Sequence, residues 1–137
     1  MGKPCRCAIL GQIDTCEHGR AAAARKSRQT IEHDYQEAVA DTLRAHGALV
    51  SRNNVGVATW KNGARTRYGL GLGSADLVAC VEGRYVEIEC KAATAQSDAQ
   101  KCRERAVTAA GGLYVLARAG RDPVADVVSR VMAWGRA

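Results

Sequence analysis

The clearest alternation of apolar and polar positions lies in residues 76–91, and it predicts a β-hairpin. Two runs rich in β-branched side chains flank Glu82-Gly83, which suits a two-residue turn. Counting outward from this turn pairs residues across the hairpin until Asp76 lies opposite Glu89. Because alternate side chains of a strand share a face, Asp76, Glu89 and Lys91 are expected to project from the same side.

A helical period of apolar positions predicts a helix over residues 31–46. Thr30 can cap its start, and Gly47 is expected to end it. Glu32 lies about 60° from the centre of the apolar stripe, so it borders the interior and could approach the hairpin. Alternatively, Glu32 is a first-turn acid that complements the helix dipole. The stripe consists of Ile31, Tyr35, Ala38, Val39, Thr42 and Leu43.

The remaining patterns predict strands over residues 48–52 and 113–116, and helices over residues 97–110 and 124–131. The resulting element order, α-β-β-β-α-β-α, predicts an α/β domain with a mixed central sheet flanked by helices. The chain of 137 residues is expected to form one such domain over residues 30–137, preceded by an N-terminal unit over residues 1–29.

Composition is that of a globular protein, with 47% hydrophobic and 25% charged residues. No apolar run approaches the roughly 18 residues that a membrane span needs, and the first residues do not form a signal peptide. We therefore expect no membrane association and a cytoplasmic location, in a bacterium or a phage-infected host. The net charge of +6 favours a polyanionic partner such as DNA, although many soluble proteins carry such an excess.

The N-terminal unit contains a Cys-x-Cys…Cys-x-His set. If Gly11-Gln12 forms a turn, Cys7 lies opposite Cys16 and Cys5 lies opposite His18, so all four share one face of a ribbon. These ligands have the chemistry of a structural zinc site. The alternatives are incidental thiols or a Cys7–Cys16 disulfide. The other cysteines are expected to be small buried hydrophobes: Cys80, Cys90 and Cys102.

Two stretches could contact DNA. Residues 20–29 are basic and Ala-rich, and they fit either a helical arm or a solvated linker. Residues 60–68 combine turn signals with cations for phosphates and aromatic rings for stacking, but they fit a solvated hairpin equally well. The Gly-rich residues 69–73 suit close approach to a phosphate or a flexible entry to the next strand. The candidate DNA-binding residues are Arg52, Lys61, Arg65, Arg67 and Tyr68.

Directly opposed carboxylates destabilise a sheet, so Asp76 and Glu89 need compensation. A shared divalent cation would provide it. The alternative is an ordinary solvated face on which Lys91 neutralises Glu89.

An Asp, a hairpin and then Glu-x-Lys resemble the active-site signature of the PD-(D/E)XK nuclease superfamily. Here these parts are Asp76 and Glu89-Cys90-Lys91. Ala75 stands where the superfamily usually has proline, a departure that affects local rigidity more than ligation. Over about residues 31–118 the chain further resembles the VRR-NUC branch, the virus-type replication and repair nucleases. The parts occur in that branch's order: Glu32, Asn53-Asn54, the Gly-rich residues 69–73, Asp76, Glu89 with Lys91, and Gln100.

The resemblance implies a PD-(D/E)XK restriction-endonuclease-like core, here with a small N-terminal Cys/His-containing extension, and a metal-dependent DNA endonuclease. Asp76 and Glu89 would hold one or two Mg²⁺ or Mn²⁺ ions with the carbonyl of Cys90, and Glu32 is a further candidate ligand. Lys91 would orient or deprotonate the attacking water. We favour the orienting role, because a lysine beside two carboxylates tends to stay charged. Gln100 is a candidate for positioning water or phosphate.

Relatives in this family act on branched DNA such as Holliday junctions. Two symmetric cuts would require two active sites, so we expect a homodimer. Two other interpretations remain open. One is a non-catalytic DNA-binding or zinc-bearing adaptor, and the other is a restriction-type or mobile-element nuclease on the same fold.

Overall fold

The computed structural model describes residues 17–137, without the side chains of residues 17–23 and 26. This part of the chain is a mixed α/β structure in which helices flank a mixed central sheet. The fold class predicted from the sequence is confirmed at that level. In chain order the elements are α1 (Glu17–Ala45), β1 (Leu49–Arg52), β2 (Gly56–Thr59), β3 (Arg65–Tyr68), β4 (Leu77–Val81), β5 (Arg84–Lys91), α2 (Asp98–Ala109), β6 (Leu113–Arg118) and α3 (Val124–Arg136).

The central sheet has the strand order β1-β4-β5-β6. β1 and β4 are antiparallel, as are β4 and β5, whereas β5 and β6 run parallel with α2 as their connection. The β4–β5 hairpin has the predicted register, with Leu77 opposite Ile88. Glu82 and Gly83 form its turn with φ angles of 50° and 80°, and positive φ at both central residues is typical of a type I′ turn.

The core lies between the sheet, α1 and α3, and Leu43, Leu77, Ile88 and Val131 are each completely buried there. Cys90 belongs to this core, as expected. The expectation for the other two described cysteines is wrong, because Cys80 and Cys102 are exposed. Cys80 pairs with Leu49 and Tyr85 across the neighbouring strands, and those side chains are 73% and 40% exposed. Within the described part of the chain, this end of the sheet face is therefore uncovered.

Helix α1 begins at Glu17, well before the predicted start at residue 31. Residues 20–29 are mostly Ala, Arg, Lys and Gln, which are strong helix formers, so the helix runs through Thr30 instead of being capped there. Residues 20–29 were predicted to form either a helical arm or a solvated linker, and their backbone is helical. The end was predicted correctly, since Gly47 follows the helix with φ of 89°. The predicted stripe was wrong at Ile31, which is 49% exposed, and at Ala38, which is also exposed, whereas Gln36 is buried.

β2 and β3 form a separate two-stranded antiparallel sheet inserted between β1 and β4. All four residues of β3 are exposed. The stretch predicted to be a DNA contact or a solvated hairpin is therefore a hairpin outside the central sheet.

The proposed zinc ligands Cys5, Cys7 and Cys16 lie outside the described residues, as does the side chain of His18. The backbone at position 18 is in the first turn of α1, which departs from the strand expected there. None of the helices in residues 17–137 is long and apolar enough to cross a membrane.

The type I′ turn generates a prediction about stability. Glu82 has a positive φ, which costs most L-residues free energy and which Asn tolerates better. We expect Glu82→Asn to raise the free energy of unfolding by about 0.5 kcal/mol, and Glu82→Val to lower it, as measured by urea denaturation. Equal midpoints for the three proteins would contradict this turn conformation.

Candidate functional site

Asp76 lies immediately before β4, opposite the end of β5. The backbone N–H of Cys90 donates to Asp76 Oδ2 at 2.9 Å, which ties the carboxylate to the neighbouring strand. The backbone carbonyl of Asp76 accepts a hydrogen bond from the N–H of Asn53 at 2.8 Å. Asp76 is thus held from both sides, by β5 and by the segment after β1.

The side chain of Asn53 clamps the segment that leads into Asp76. Its Nδ2 donates to Ser74 Oγ and to the carbonyl of Ala75, both at 2.8 Å. Its Oδ1 accepts from the backbone N–H of Leu70 at 3.2 Å. Asn53 was noticed in the sequence only as part of a pattern, and its role as a clamp was not predicted.

Glu89 is 2% exposed and has two side-chain partners. Lys91 Nζ lies 2.9 Å from Glu89 Oε1, and Gln100 Nε2 donates to the same oxygen at 2.5 Å. The carbonyl oxygen of the Gln100 side chain accepts from the N–H of Ser97, and Ser97 caps α2 in a capping box. Gln100 therefore joins the start of α2 directly to Glu89.

Glu32 approaches the same end of β5 from α1. Its Oε1 accepts a hydrogen bond from the N–H of Ala92 at 2.8 Å, one residue beyond Lys91. A cavity of about 180 Å³ separates this part of α1 from the sheet, and Glu32, Arg52 and Asp76 line it. The prediction that Glu32 borders the interior near the hairpin is consistent with this placement.

Burial makes the two central carboxylates costly to ionise. It raises the pKa of Asp76 above its ordinary value, against the opposing effects of the Cys90 N–H and the Lys91 ammonium group. Burial also raises the pKa of Glu89, and the charge of Asp76 raises it further, against the opposing effect of Lys91. Each acid would thus be stabilised as an anion by additional positive charge.

Glu87 is a buried acid whose importance the sequence analysis missed. It is completely buried, and Arg103 Nε lies 2.9 Å from its Oε1. The Tyr85 hydroxyl donates to the same oxygen at 2.6 Å. Its Oε2 accepts the N–H of Ala75 at 3.2 Å, so Glu87 anchors the residue just before Asp76.

Burial by itself would raise the pKa of Glu87. The hydrogen bonds from Arg103, Tyr85 and Ala75 outweigh burial and hold this pKa below its ordinary value. One feature of the sequence points to the pair of Glu87 and Arg103. Arg103 follows Gln100 by three residues, so the two side chains lie on the same face of α2.

The donor set suits a hard divalent cation. Among the side chains that the structure describes, no group of three or more His, Cys, Asp or Glu is placed to hold a metal ion. Mg²⁺, however, is usually bound through only one or two carboxylates, with water and substrate phosphate completing its coordination. Asp76 and Glu89 supply two such carboxylates, both destabilised as anions by burial. The residues present therefore fit Mg²⁺ or Mn²⁺.

The candidate DNA-binding residues fall into two groups. Arg52 lies at the end of β1, where it pairs with Glu37 at 3.3 Å and lines the same cavity as Asp76. The other four are exposed on or next to β3: Lys61, Arg65, Arg67 and Tyr68.

The structure thus gathers the acids, the lysine and the glutamine of the predicted site around the end of β5, with Asn53 beside them. Scans of the chain against protein-family models and against curated proteins find no match. The resemblance to the nuclease family is therefore carried by the residues and order of this site alone.

The pair of Glu87 and Arg103 generates a prediction about pH. Because the pKa of Glu87 is lowered on folding, its interactions stabilise the protein above the ordinary carboxyl pKa, and this contribution is lost as the pH falls through the lowered value. In Arg103→Ala, the hydrogen bonds from Arg103 that oppose the effect of burial are lost, so the pKa of Glu87 rises. We expect this variant to lose about 3 kcal/mol at neutral pH, and the loss should shrink towards pH 4.

The measurement is urea denaturation at a series of pH values. Arg105→Ala is the matched control, since Arg105 is exposed on the same helix and should cost little at any pH. A loss for Arg103→Ala that stays constant from neutral to acidic pH would contradict the assignment.

Proposed function

We propose that this protein is a metal-dependent endonuclease that hydrolyses the phosphodiester bonds of DNA, similar to the VRR-NUC branch of the PD-(D/E)XK superfamily. The observation that carries the proposal is the meeting of Asp76, Glu89 and Lys91 at the end of one hairpin. A surface hairpin with solvated charges would leave its acids exposed, but Glu89 is 2% exposed. Burying a carboxylate is costly unless it is paired or coordinates a metal.

The architecture supports the same proposal. The resemblance implies a restriction-endonuclease-like core with a mixed sheet flanked by helices, and the sheet order β1-β4-β5-β6 with α1, α2 and α3 is compatible with it. The E-x-K residues lie at the end of a central strand of that sheet. They pair with β6 on one side, and on the other side the N–H of Cys90 donates to the carboxylate of Asp76.

The chemistry follows from the charges at the site. Asp76, Glu89 and the carbonyl of Cys90 would hold Mg²⁺ or Mn²⁺, which lowers the pKa of a bound water and stabilises charge on phosphate. Glu32 is a further candidate ligand, although its Oε1 already accepts from Ala92. Lys91 lies beside Glu89 and provides positive charge for the scissile phosphate or the attacking water.

The other residues of the site position these groups. The Cys90 N–H holds one oxygen of Asp76, and Gln100 holds Glu89. Both ends of the Gln100 amide are engaged within the protein, which favours a role in orienting Glu89 over direct contact with water or phosphate.

The preferred DNA and the oligomeric state belong to the same proposal. Branched or junction DNA is the substrate that the resemblance suggests. A homodimer would supply the two sites needed for paired cuts in a four-way junction.

Substitution of the three central residues tests the nuclease proposal. We expect Asp76→Ala, Glu89→Ala and Lys91→Ala each to lower Mg²⁺-dependent cleavage by at least about 100-fold, because each removes charge from the reacting centre. Purified proteins would be incubated with linear, nicked, flapped and four-way DNA, in Mg²⁺ or in EDTA. Asp98→Ala is the matched control, since that acid is exposed at the start of α2. Equal activity in the wild type and all three variants would end the proposal.

A comparison of Ser97 with Gln100 separates helix capping from site geometry. Ser97→Ala removes only the cap and should cost about 1 kcal/mol of stability with little change in cleavage. Gln100→Ala removes a capping partner and also the donor to Glu89, so we expect a similar loss of stability together with about 10-fold slower cleavage. Stability is measured by urea denaturation and cleavage at saturating Mg²⁺. If both variants cleave equally fast, Gln100 acts only as a cap.

A further inference from the structure

Residues 55–72, here called the arm, contain β2, β3 and the loop that returns to Asp76. We propose that the arm binds unpaired bases of DNA by stacking, and thereby directs cleavage to phosphates next to unpaired nucleotides. The second part rests on the proposed nuclease function. The first part concerns binding alone and can be tested without cleavage.

The arm exposes apolar side chains that contribute little to the core. Its strands pair only with each other and not with the central sheet. Trp60 is 60% exposed, Tyr68 50% and Leu72 72%. Exposed rings and aliphatic side chains on a protruding hairpin are typical of a surface that becomes buried against a partner.

The charge of the arm indicates the chemistry of that partner. Residues 55–72 contain three cations, Lys61, Arg65 and Arg67, and no Asp or Glu, so the arm carries +3 of the chain's net +6. Among the described residues, none of these three cations makes an ion pair within 4.0 Å. A second copy of the arm would bring six cations together, which is unfavourable. DNA is complementary to both the charge and the rings, because its phosphates are negative and its bases have apolar faces.

The two rings are held in place before any partner binds. Trp60 Nε1 donates to Thr66 Oγ1 at 2.9 Å across the turn. Tyr68 lies opposite Gly56, and its phenol occupies the space where any larger residue would place its Cβ. Both rings are therefore ordered and at least half exposed, so stacking on them costs little further conformational entropy.

Stacking on such rings selects unpaired bases over duplex DNA. Every base has a π-face, but in a duplex the faces are already stacked on neighbouring bases. Single-strand-binding proteins combine a basic surface with aromatic rings for this purpose. The arm has this combination, because three cations lie between Trp60 and Tyr68 in the sequence.

The arm is connected through Asn53 to the residue that precedes Asp76. Asn53 accepts the N–H of Leu70 at the return of the arm and donates to the carbonyl of Ala75, the residue before Asp76. A base stacked on the arm would therefore belong to a nucleotide close to the scissile phosphate.

Fluorescence of Trp60 tests the binding directly. The chain has two tryptophans, Trp60 and Trp134, so Trp134→Phe leaves Trp60 as the sole reporter. This protein would be titrated in EDTA with oligothymidine and with a blunt duplex of the same length. We expect oligothymidine to quench Trp60 and to bind at least about 10-fold more tightly than the duplex.

Substitutions in the same background separate stacking from charge. Tyr68→Ala should weaken binding of oligothymidine about 10-fold without changing duplex binding, whereas Lys61→Ala should weaken both equally and flatten the salt dependence. Leu49→Ala is the control, as an exposed apolar residue on β1 outside the arm. Unchanged melting temperatures would show that each variant is folded.

Three outcomes would overturn the inference: no quenching by oligothymidine, equal affinity for single strand and duplex, or a Trp60 signal that changes only with protein concentration, which would indicate a second copy. Cleavage separates this inference from the nuclease proposal. If Asp76→Ala abolishes cleavage but Tyr68→Ala leaves both binding and the choice of cut sites unchanged, only the role of the arm is wrong. If single-strand binding is found without Mg²⁺-dependent cleavage, the nuclease proposal fails and the binding result stands.

Discussion

The register of the β4–β5 hairpin holds two carboxylates close together, although their charges oppose that arrangement. Leu77 and Ile88 face each other in this register, and both are completely buried. A slip by one residue would turn every side chain of a strand to the other face, so it would place apolar groups against the polar partners on α2 and the acids in the apolar core. Hydrophobic burial on one face of the sheet therefore fixes the positions of Asp76 and Glu89 on the other.

Helix α2 provides the polar support for this arrangement. Gln100 and Arg103 lie one turn apart on the helix. Gln100 donates to Glu89 and Arg103 donates to Glu87, and these two acids lie two residues apart on the same face of β5. Buried carboxylates are tolerated only with well-placed partners, and the capping box fixes the first turn of α2 from which Gln100 extends. The start of that helix thus supplies a hydrogen-bond donor to the candidate site.

Local patterns predicted the parts of the fold that depend on neighbours in sequence. The turn at Glu82-Gly83 and the alternation around it were enough for the hairpin register and for the meeting of Asp76 with the end of β5. The start of α1 was missed because strong helix formers precede Thr30. Thr30 therefore lies inside the helix, although its residue type is also typical of a helix cap. The partner of Glu87 and the exposure of Cys80 depend on which helix covers which part of the sheet, and alternation along a strand carries no information about that.

Asn53 links the arm to the end of the hairpin that carries the candidate site. One side chain accepts from the loop that ends the arm and donates to the two residues that precede Asp76, while its own N–H holds the carbonyl of Asp76. The Gly-rich loop between these contacts contains no regular structure, so Asn53 supplies the order that secondary structure would otherwise provide. Any displacement of the arm by a bound partner must therefore be absorbed by this clamp or reach Asp76.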